Sequence, residues 1–244
     1  MNYLSLFSGI GCNDIALHQF IGWEAVCYVE KNPHCISCLE SRITEEVIAD
    51  APIWDDVTTF DGRPWSGFVH TIVGGDPCQS NSVAAQTGER AESLADSFLR
   101  IVSEIRPSYV IRENPSKARA PAPSSADYFA DRLETLGYRT QILEVRACDM
   151  GADHRRARLF VCASLVYADS DRQEREIRAE RESCASRWLR TPSRPARWTA
   201  PPRVLRSSDG LARRTERLRA IGNGAVPAVV AVVSAVCTDQ GIVF

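Results

Sequence analysis

The chain has 244 residues, 44% of them hydrophobic and 25% charged, with a formal net charge of −2. That length suffices for one full α/β domain plus a small appendage. No apolar run reaches the ~18 residues of a spanning helix, and the longest candidate, Ala225 to Cys237, carries Pro227, so no membrane span is expected. The N-terminus lacks the basic lead of a signal peptide and runs straight into Ser8-Gly9-Ile10-Gly11, which predicts a cytoplasmic protein. Its nine cysteines are then expected to be reduced thiols, not a disulfide frame.

Charge is unevenly placed. Asp171 to Arg219 holds 14 arginines and 7 acids, while the rest of the chain holds 15 basic and 24 acidic residues. An arginine-rich segment on an acidic body is either a footprint for an anionic polymer or a solvated linker, and charge alone does not choose.

In chain order, Tyr3 to Phe7 reads as a strand, the Ser8-to-Gly11 loop as a tight turn, and Asp14 to Phe20 as a helix. Ala25 to Glu30 reads as a second strand, and Asn32-Pro33 opens a helix. Asp55-Asp56-Val57 closes a third strand, and Val69 to Gly75 is a β-rich run leading into Asp76-Pro77-Cys78. Ala91 to Ile105 has helical spacing, and Ser108 to Arg112 is a strand ending at Glu113-Asn114-Pro115. Ser124 to Leu136 reads as a helix with a serine cap and Gly137 as its stop, followed by strands over Gln141 to Arg146 and Leu159 to Leu165. This alternation predicts a doubly wound, mostly parallel sheet. It stops near Tyr167, where an Arg-, Ser- and Pro-rich stretch begins, and a last apolar helix, Ala225 to Val236, returns to the main body. The expected division is a core of 1–166 plus 219–244 and a small insert of 167–218.

Ligands of open parallel sheets bind where strands end. The first strand ends in a glycine loop, and Glu30 follows 23 residues after Phe7 at the end of the second, the usual place of a ribose-hydroxyl acceptor. The loop departs from the three-glycine phosphate fingerprint, with Cys12 and Asn13 where further glycines might stand. A cofactor without phosphates, S-adenosylmethionine, is compatible with it; a dinucleotide and an ordinary strand–helix turn remain open at this point.

Gly74-Gly75-Asp76-Pro77-Cys78-Gln79 carries the chemistry. Cys78 follows a strand end among Asp76, Gln79, Ser80, Asn81 and Ser82, polar company for a nucleophile, although cysteines are more commonly buried and inert. Glu113 lies 35 residues on, the length of one crossover, so the two are expected to end neighbouring strands. A thiol facing a carboxylic acid suits addition to a nitrogen heterocycle: sulfur attacks ring carbon while the acid protonates ring nitrogen. The plain alternative is a surface carboxylate paired with Arg112. Arg156 and Arg158 share a side at strand spacing and are expected to bind phosphate or base, or else to form a solvated basic edge. Gln79 to Ala95 suits a mobile loop or an ordinary surface loop. Trp188 and Trp198 stand among arginines, including Arg187 and Arg190, and either contact nucleic acid or make a mini-core. His34-Cys35-x-x-Cys38 lacks a second pair at ligand spacing, so no metal is expected.

Together and in this order, these pieces resemble the DNA cytosine-5 methyltransferase family, especially its short phage and bacterial members. Phe7-Ser8-Gly9-Ile10-Gly11 looks like the family's opening cofactor loop, Glu30 like its ribose-binding acid and Asp56-Val57 like its adenine contact. Pro77-Cys78-Gln79 is similar to its catalytic Pro-Cys-Gln, and Glu113-Asn114 to its Glu-Asn-Val. Arg156 and Arg158 match its Gln-x-Arg-x-Arg element, and Gly222-Asn223-Gly224-Ala225-Val226-Pro227 resembles its last motif, where the C-terminal helix closes the cofactor pocket.

The resemblance implies a Rossmann-like, S-adenosylmethionine-dependent fold with a short target-recognition region. It implies methyl transfer to C5 of a flipped cytosine in double-stranded DNA, through an adduct of Cys78 with C6. It implies catalytic roles for Cys78, Glu113, Arg156 and Arg158. Asp76, Pro77, Asn223 and Ala225 join the cofactor-binding set, and Gln79 to Ser82, Arg187, Trp188 and Arg190 form the DNA-binding set. A monomer is expected, with a partner subunit as the other possibility. An RNA cytosine-5 methyltransferase and a non-catalytic DNA-binding subunit are the competing readings. Cys12 for Gly, Pro115 for Val, His154 for Gln and Gly224 for Ser depart from the family pattern. The 167–218 insert is also shorter than the usual recognition domain.

Overall fold

The computed structural model describes residues 1–76, 93–115, 125–166 and 224–238. The chain opens with β1 (Asn2–Leu6), then α1 (Cys12–Ile15), which continues as a wider π-helical turn (Ala16–Ile21). There follow β2 (Glu24–Val29), α2 (Pro33–Thr44), the two-residue β3 (Ile53–Trp54), β4 (Thr71–Gly74) and α3 (Leu94–Ile105). Next come β5 (Tyr109–Pro115), α4 (Ala126–Thr135), β6 (Tyr138–Arg146), β7 (Ala157–Leu165) and α5 (Pro227–Thr238).

Helix starts follow local chemistry. Asn32 accepts amide hydrogens from His34 and Cys35 at the head of α2, with Pro33 in the first position. Ser93 and Asp96 cap α3 reciprocally, and Ser125 caps α4. Each such cap contributes about 1 kcal/mol. Gly137, with φ of 85°, ends the α4 turn where the sequence placed the stop.

The sheet order is β3-β2-β1-β4-β5-β7-β6. The strands from β1 to β5 pair in parallel, and β7 runs antiparallel to both β5 and β6. The expected doubly wound, mostly parallel sheet is therefore present. One face carries Leu4, Leu6, Ile72, Val110 and Val161 against Phe98 of α3 and Phe129 of α4. The other carries Tyr3, Val73, Ile111, Phe160 and Cys162 against Leu17 of the π turn, Leu39 of α2 and Val229 and Val230 of α5. Helix α5 is thus part of the second layer, as its apolarity required.

One boundary differs from the sequence reading. β5 does not stop at Arg112 but runs through Pro115, because β7 pairs with it along its whole length, from Tyr109↔Ser164 to Pro115↔Arg158. Glu113 and Asn114 therefore lie within a strand and point to opposite faces of the sheet.

Beneath the first turn, Asp14 is fully buried. Tyr3 donates its hydroxyl to Asp14 Oδ1 at 3.1 Å. Burial pushes the Asp14 carboxyl up to about 6, against hydrogen bonds from Ser5 and Tyr3 that favour the charged form. The folded state thus binds this proton more tightly than the unfolded chain. Its stabilising effect is complete below the ordinary aspartate range and is lost as pH rises through about 6. Between pH 4 and 7, urea denaturation should show wild type losing up to about 3 kcal/mol relative to Asp14→Asn. Parallel pH profiles of the two proteins would refute this.

Candidate active site

At the end of β1, the chain turns through Phe7 (φ 53°), Gly9 (φ 57°) and Gly11 (φ 76°). Ser8 anchors the turn: its amide donates to the Val29 carbonyl, and its hydroxyl donates to Ser5. At Gly11 a Cβ would lie 3.0 Å from Leu39 of α2, and the positive φ would be strained for any other residue. Glu30 closes against this loop. Gly9 N–H donates to Glu30 Oε2 and Asn32 N–H to Oε1, both at 2.7 Å. Two backbone donors fix the carboxylate, and each oxygen retains acceptor capacity. An acceptor-only group beside a close-approach glycine turn fits a ligand that presents hydroxyls, as a ribose does.

Asp56 and Val57 follow β3. Asp56 pairs with Lys31 at 2.6 Å and accepts from the Thr58 amide and hydroxyl. The Lys31 contact, with the Thr58 hydrogen bonds behind it, pulls the Asp56 carboxyl down to about 2. Val57 is buried in the core, and its carbonyl accepts from Arg100 of α3. Ile10 lies in the loop, and Ala225 is buried just before α5.

The second edge is built by β4 and β5, which pair with Gly74 opposite Arg112. A Cβ at Gly74 would meet the Leu6 carbonyl at 2.6 Å and the Phe98 ring at 2.9 Å. A Cβ at Gly75 would meet the Glu113 carbonyl at 2.7 Å and Glu113 Oε2 at 3.1 Å. Both glycines are therefore demanded by close approach, and the second makes room for the Glu113 carboxyl. Glu113 is 7% exposed. Arg158 Nε stands 2.6 Å from Glu113 Oε1, a contact close enough for an ion pair although its geometry gives Oε1 no aligned hydrogen bond. Burial raises the Glu113 carboxyl above the usual range; Arg158 and then Arg156 pull against it. Burial thus works against the anion in a place where two cations would receive it.

Arg156 and Arg158 do not share a strand face as expected. β7 begins at Ala157, and Arg156 lies before it with φ of 22°. Its guanidinium donates to the Gly224 carbonyl, tying the β7 entrance to the segment that leads into α5. Both arginines still reach Glu113 electrostatically, and so does Cys12 of α1. The glycine loop and the acid thus lie at one edge of the sheet.

Asp76 was expected on the cofactor side, but its carboxylate is engaged elsewhere. Arg112 donates from Nε to Oδ1 at 2.5 Å and from Nη2 to Oδ2 at 2.8 Å. Asn114 Nδ2 donates to the Asp76 carbonyl at 2.9 Å. Arg112 therefore pairs with Asp76, not with Glu113. The sequence offers Arg112 only as a partner for Glu113, and Asn114 only as part of the Glu-Asn pair, with no link from either to Asp76. The available signal was an arginine directly following the apolar run Tyr109-Val110-Ile111, where a buried charge requires a partner. Pro77, Cys78, Gln79, Ser80, Asn81, Ser82, Arg187, Trp188, Arg190, Trp198 and Asn223 lie outside the described residues.

A doubly wound sheet with an acid at the end of β2 and a buried acid three strands away, on β5, fits a nucleoside-type ligand at the edge where the parallel strands end. The comparisons narrow this. The C-5 cytosine-specific DNA methylase family matches residues 1–186, and the chain belongs to that family. It is 27% identical over 176 residues to the type II methyltransferase M.DdeI of Desulfomicrobium norvegicum, covering 66% of this chain and 40% of that protein. It is 29% identical over 163 residues to the type II methyltransferase M.CviJI of Paramecium bursaria Chlorella virus IL3A, covering 66% and 42%. The matched part thus spans less than half the length of these relatives. The fold is similar to that of a Spodoptera frugiperda DNMT2 mutant, with a TM-score of 0.56, 18% identity and coverage of 69% and 51%.

Gly74→Ala and Gly75→Ala should each destabilise the protein by about 1–3 kcal/mol, because backbone oxygens block the added methyl group. Urea denaturation measures this, and unchanged midpoints would mean that the exit of β4 is looser than described.

Proposed function

We propose that this chain transfers a methyl group from S-adenosylmethionine to C5 of cytosine in double-stranded DNA. The observation that carries the reading is the buried, proton-favouring Glu113 on the strand beside the one that leads to Cys78. Family membership and the relatives named above support it. The proposed division of labour puts chemistry on 1–166 plus 219–244 and target recognition on 167–218, with Arg187, Trp188 and Arg190 at the DNA.

Glu30 would accept the ribose hydroxyls, and the glycine turn would let the cofactor lie against the backbone. Asp56 and Val57 would border the adenine, with Asp56 fixed by Lys31 and Thr58. Asp76 and Pro77 would reach the cofactor through their backbone, and Asn223 and Ala225 would close its pocket. S-adenosylmethionine supplies a methyl group made electrophilic by its sulfonium.

The chain's own groups prepare the acceptor. Extrusion of the base from the duplex costs a few kcal/mol. The Cys78 thiolate adds to C6 while Glu113 gives its proton to the ring nitrogen, so that C5 becomes nucleophilic. The bond from C5 to the methyl carbon would then form as the bond from that carbon to the sulfonium sulfur breaks, the thioether leaving with the electron pair. Loss of the C5 proton to water expels the thiolate and re-forms the C5–C6 double bond, and the ring nitrogen returns its proton to Glu113, which restores the neutral aromatic ring. Arg158 would hold the Glu113 carboxylate after its proton has left and contact the base, with Arg156 alongside.

Duplex DNA carrying 5-fluorocytosine tests this, because fluorine at C5 blocks the final elimination. A denaturation-resistant protein–DNA complex should form only with S-adenosylmethionine and vanish in Cys78→Ser; no complex with wild type sinks the proposal. On ordinary DNA, Glu113→Gln should lower kcat by about 10²-fold or more. Methyl transfer to tRNA but not to duplex DNA would favour the RNA reading instead.

A pH profile gives a second check. Because the acid form of Glu113 is the competent one, the rate should fall as pH rises through its elevated pKa. Arg158 lowers that pKa, so Arg158→Met should move the alkaline limb to higher pH, and an unmoved limb would separate Arg158 from Glu113.

A further inference from the structure

Arg112 is 0% exposed and lies inside the apolar layer formed by α3 and α4. It is bidentate to Asp76. Its Nη1 donates to the Ser125 carbonyl at 3.3 Å. Its guanidinium lies 4.3 Å over the Phe129 ring. Asp76 is 3% exposed, has both carboxylate oxygens on Arg112, and gives its carbonyl to Asn114. The two residues that grip Asp76 flank Glu113 in the chain and point to the opposite face of the sheet. Asp76 is also two residues before Cys78.

We propose that Arg112 and Asp76 are a positioning pair for the methyl-transfer reaction. They fix the root of the Cys78 segment to the strand carrying Glu113, and so set nucleophile against acid. The inference rests on the function proposed above. Its physical basis is that desolvating two charges opposes their attraction, so an apolar pair of similar volume would often give equal or better stability. What an apolar pair lacks is direction. A fork of two hydrogen bonds onto a carboxylate defines both separation and orientation of the two backbones. Alternation then transfers that register across β5: with Arg112 fixed on one face, Glu113 is fixed on the other, against Gly75.

The test is the double variant Asp76→Leu/Arg112→Met, with Arg112→Lys as the milder change that keeps the charge and loses the fork. Both should melt within a few degrees of wild type and keep KM for S-adenosylmethionine within about threefold. Both should lose at least tenfold in kcat and in the rate of covalent capture on 5-fluorocytosine DNA. Purely structural residues would not give that split. A double variant that folds and captures DNA at the wild-type rate overturns the proposal, and so does one that fails to fold, because the pair would then serve stability. Wild type is the control for the underlying function: if it forms no covalent complex, that reading fails first, and the double variant's stability is not its cause.

Discussion

The parallel pairing of β4 with β5 sets the geometry of the chemical edge. Gly74 stands opposite Arg112, and the next residues of the two strands are Gly75 and Glu113. Neither glycine position has room for a Cβ, so the strands approach more closely at their ends than substituted residues would allow. That proximity leaves two layers of contact. On the α1 and α5 side, the Glu113 carboxyl lies against bare backbone. On the α3 and α4 side, Arg112 and Asn114 hold Asp76. The main chain leaves β4 with its direction set from both faces.

The two buried carboxylates of this edge are treated in opposite ways, and the contrast follows from their partners. Asp76 receives a fork of aligned donors that holds its side chain in one orientation. Glu113 faces Arg158 closely but without an aligned hydrogen bond, and burial dominates its ionisation. One carboxylate is locked by geometry, and the other is one whose affinity for a proton burial raises. A buried acid with nearby cations suits the proposed proton donation to a ring nitrogen: burial favours the proton, and the conjugate base is not stranded in an apolar site.

Much of this was legible in the sequence, for reasons that differ by residue. Glu30 and the Ser8-to-Gly11 turn could be placed because local φ requirements and strand-end position determine them. Strand alternation and caps gave the layer order, since hydrophobic period and Asn32, Ser93 and Ser125 act within a few residues. Three things escaped. β5 reads three residues too short at its carboxyl end because only pairing with β7 keeps Glu113, Asn114 and Pro115 extended. Arg156 was put on a strand face because period alone cannot show where β7 begins, and its tie to Gly224 spans 68 residues. The pairing of the Asp76 side chain escaped because its partner, Arg112, lies 36 residues away. Each miss is a long-range contact overriding a correct local pattern.

The antiparallel β7 explains how residues from such distant parts of the chain converge. In an all-parallel sheet only residues that follow a strand reach the ligand edge. β1, β2, β3 and β4 obey this rule, delivering the glycine turn, Glu30, Asp56 and Asp76 from their carboxyl ends. β7 runs the other way, so the residues that precede and begin it arrive at that same edge. Arg158 lies opposite Pro115 and two positions from the partner of Glu113, which is Phe160. With a residue period of two, Arg158 and Phe160 share the face of Glu113, and the arginine meets the carboxyl. Arg156, one step earlier, has left the ladder and turns instead to the Gly224 carbonyl, which brings the start of α5 to this edge. Reversing one strand thus lets a basic segment lying before a strand face acids lying after others, and lets the C-terminal helix close over the side where the first helix begins. A parallel β7 would have placed both arginines at the far end of the sheet, leaving Glu113 buried with no cation to receive its charge.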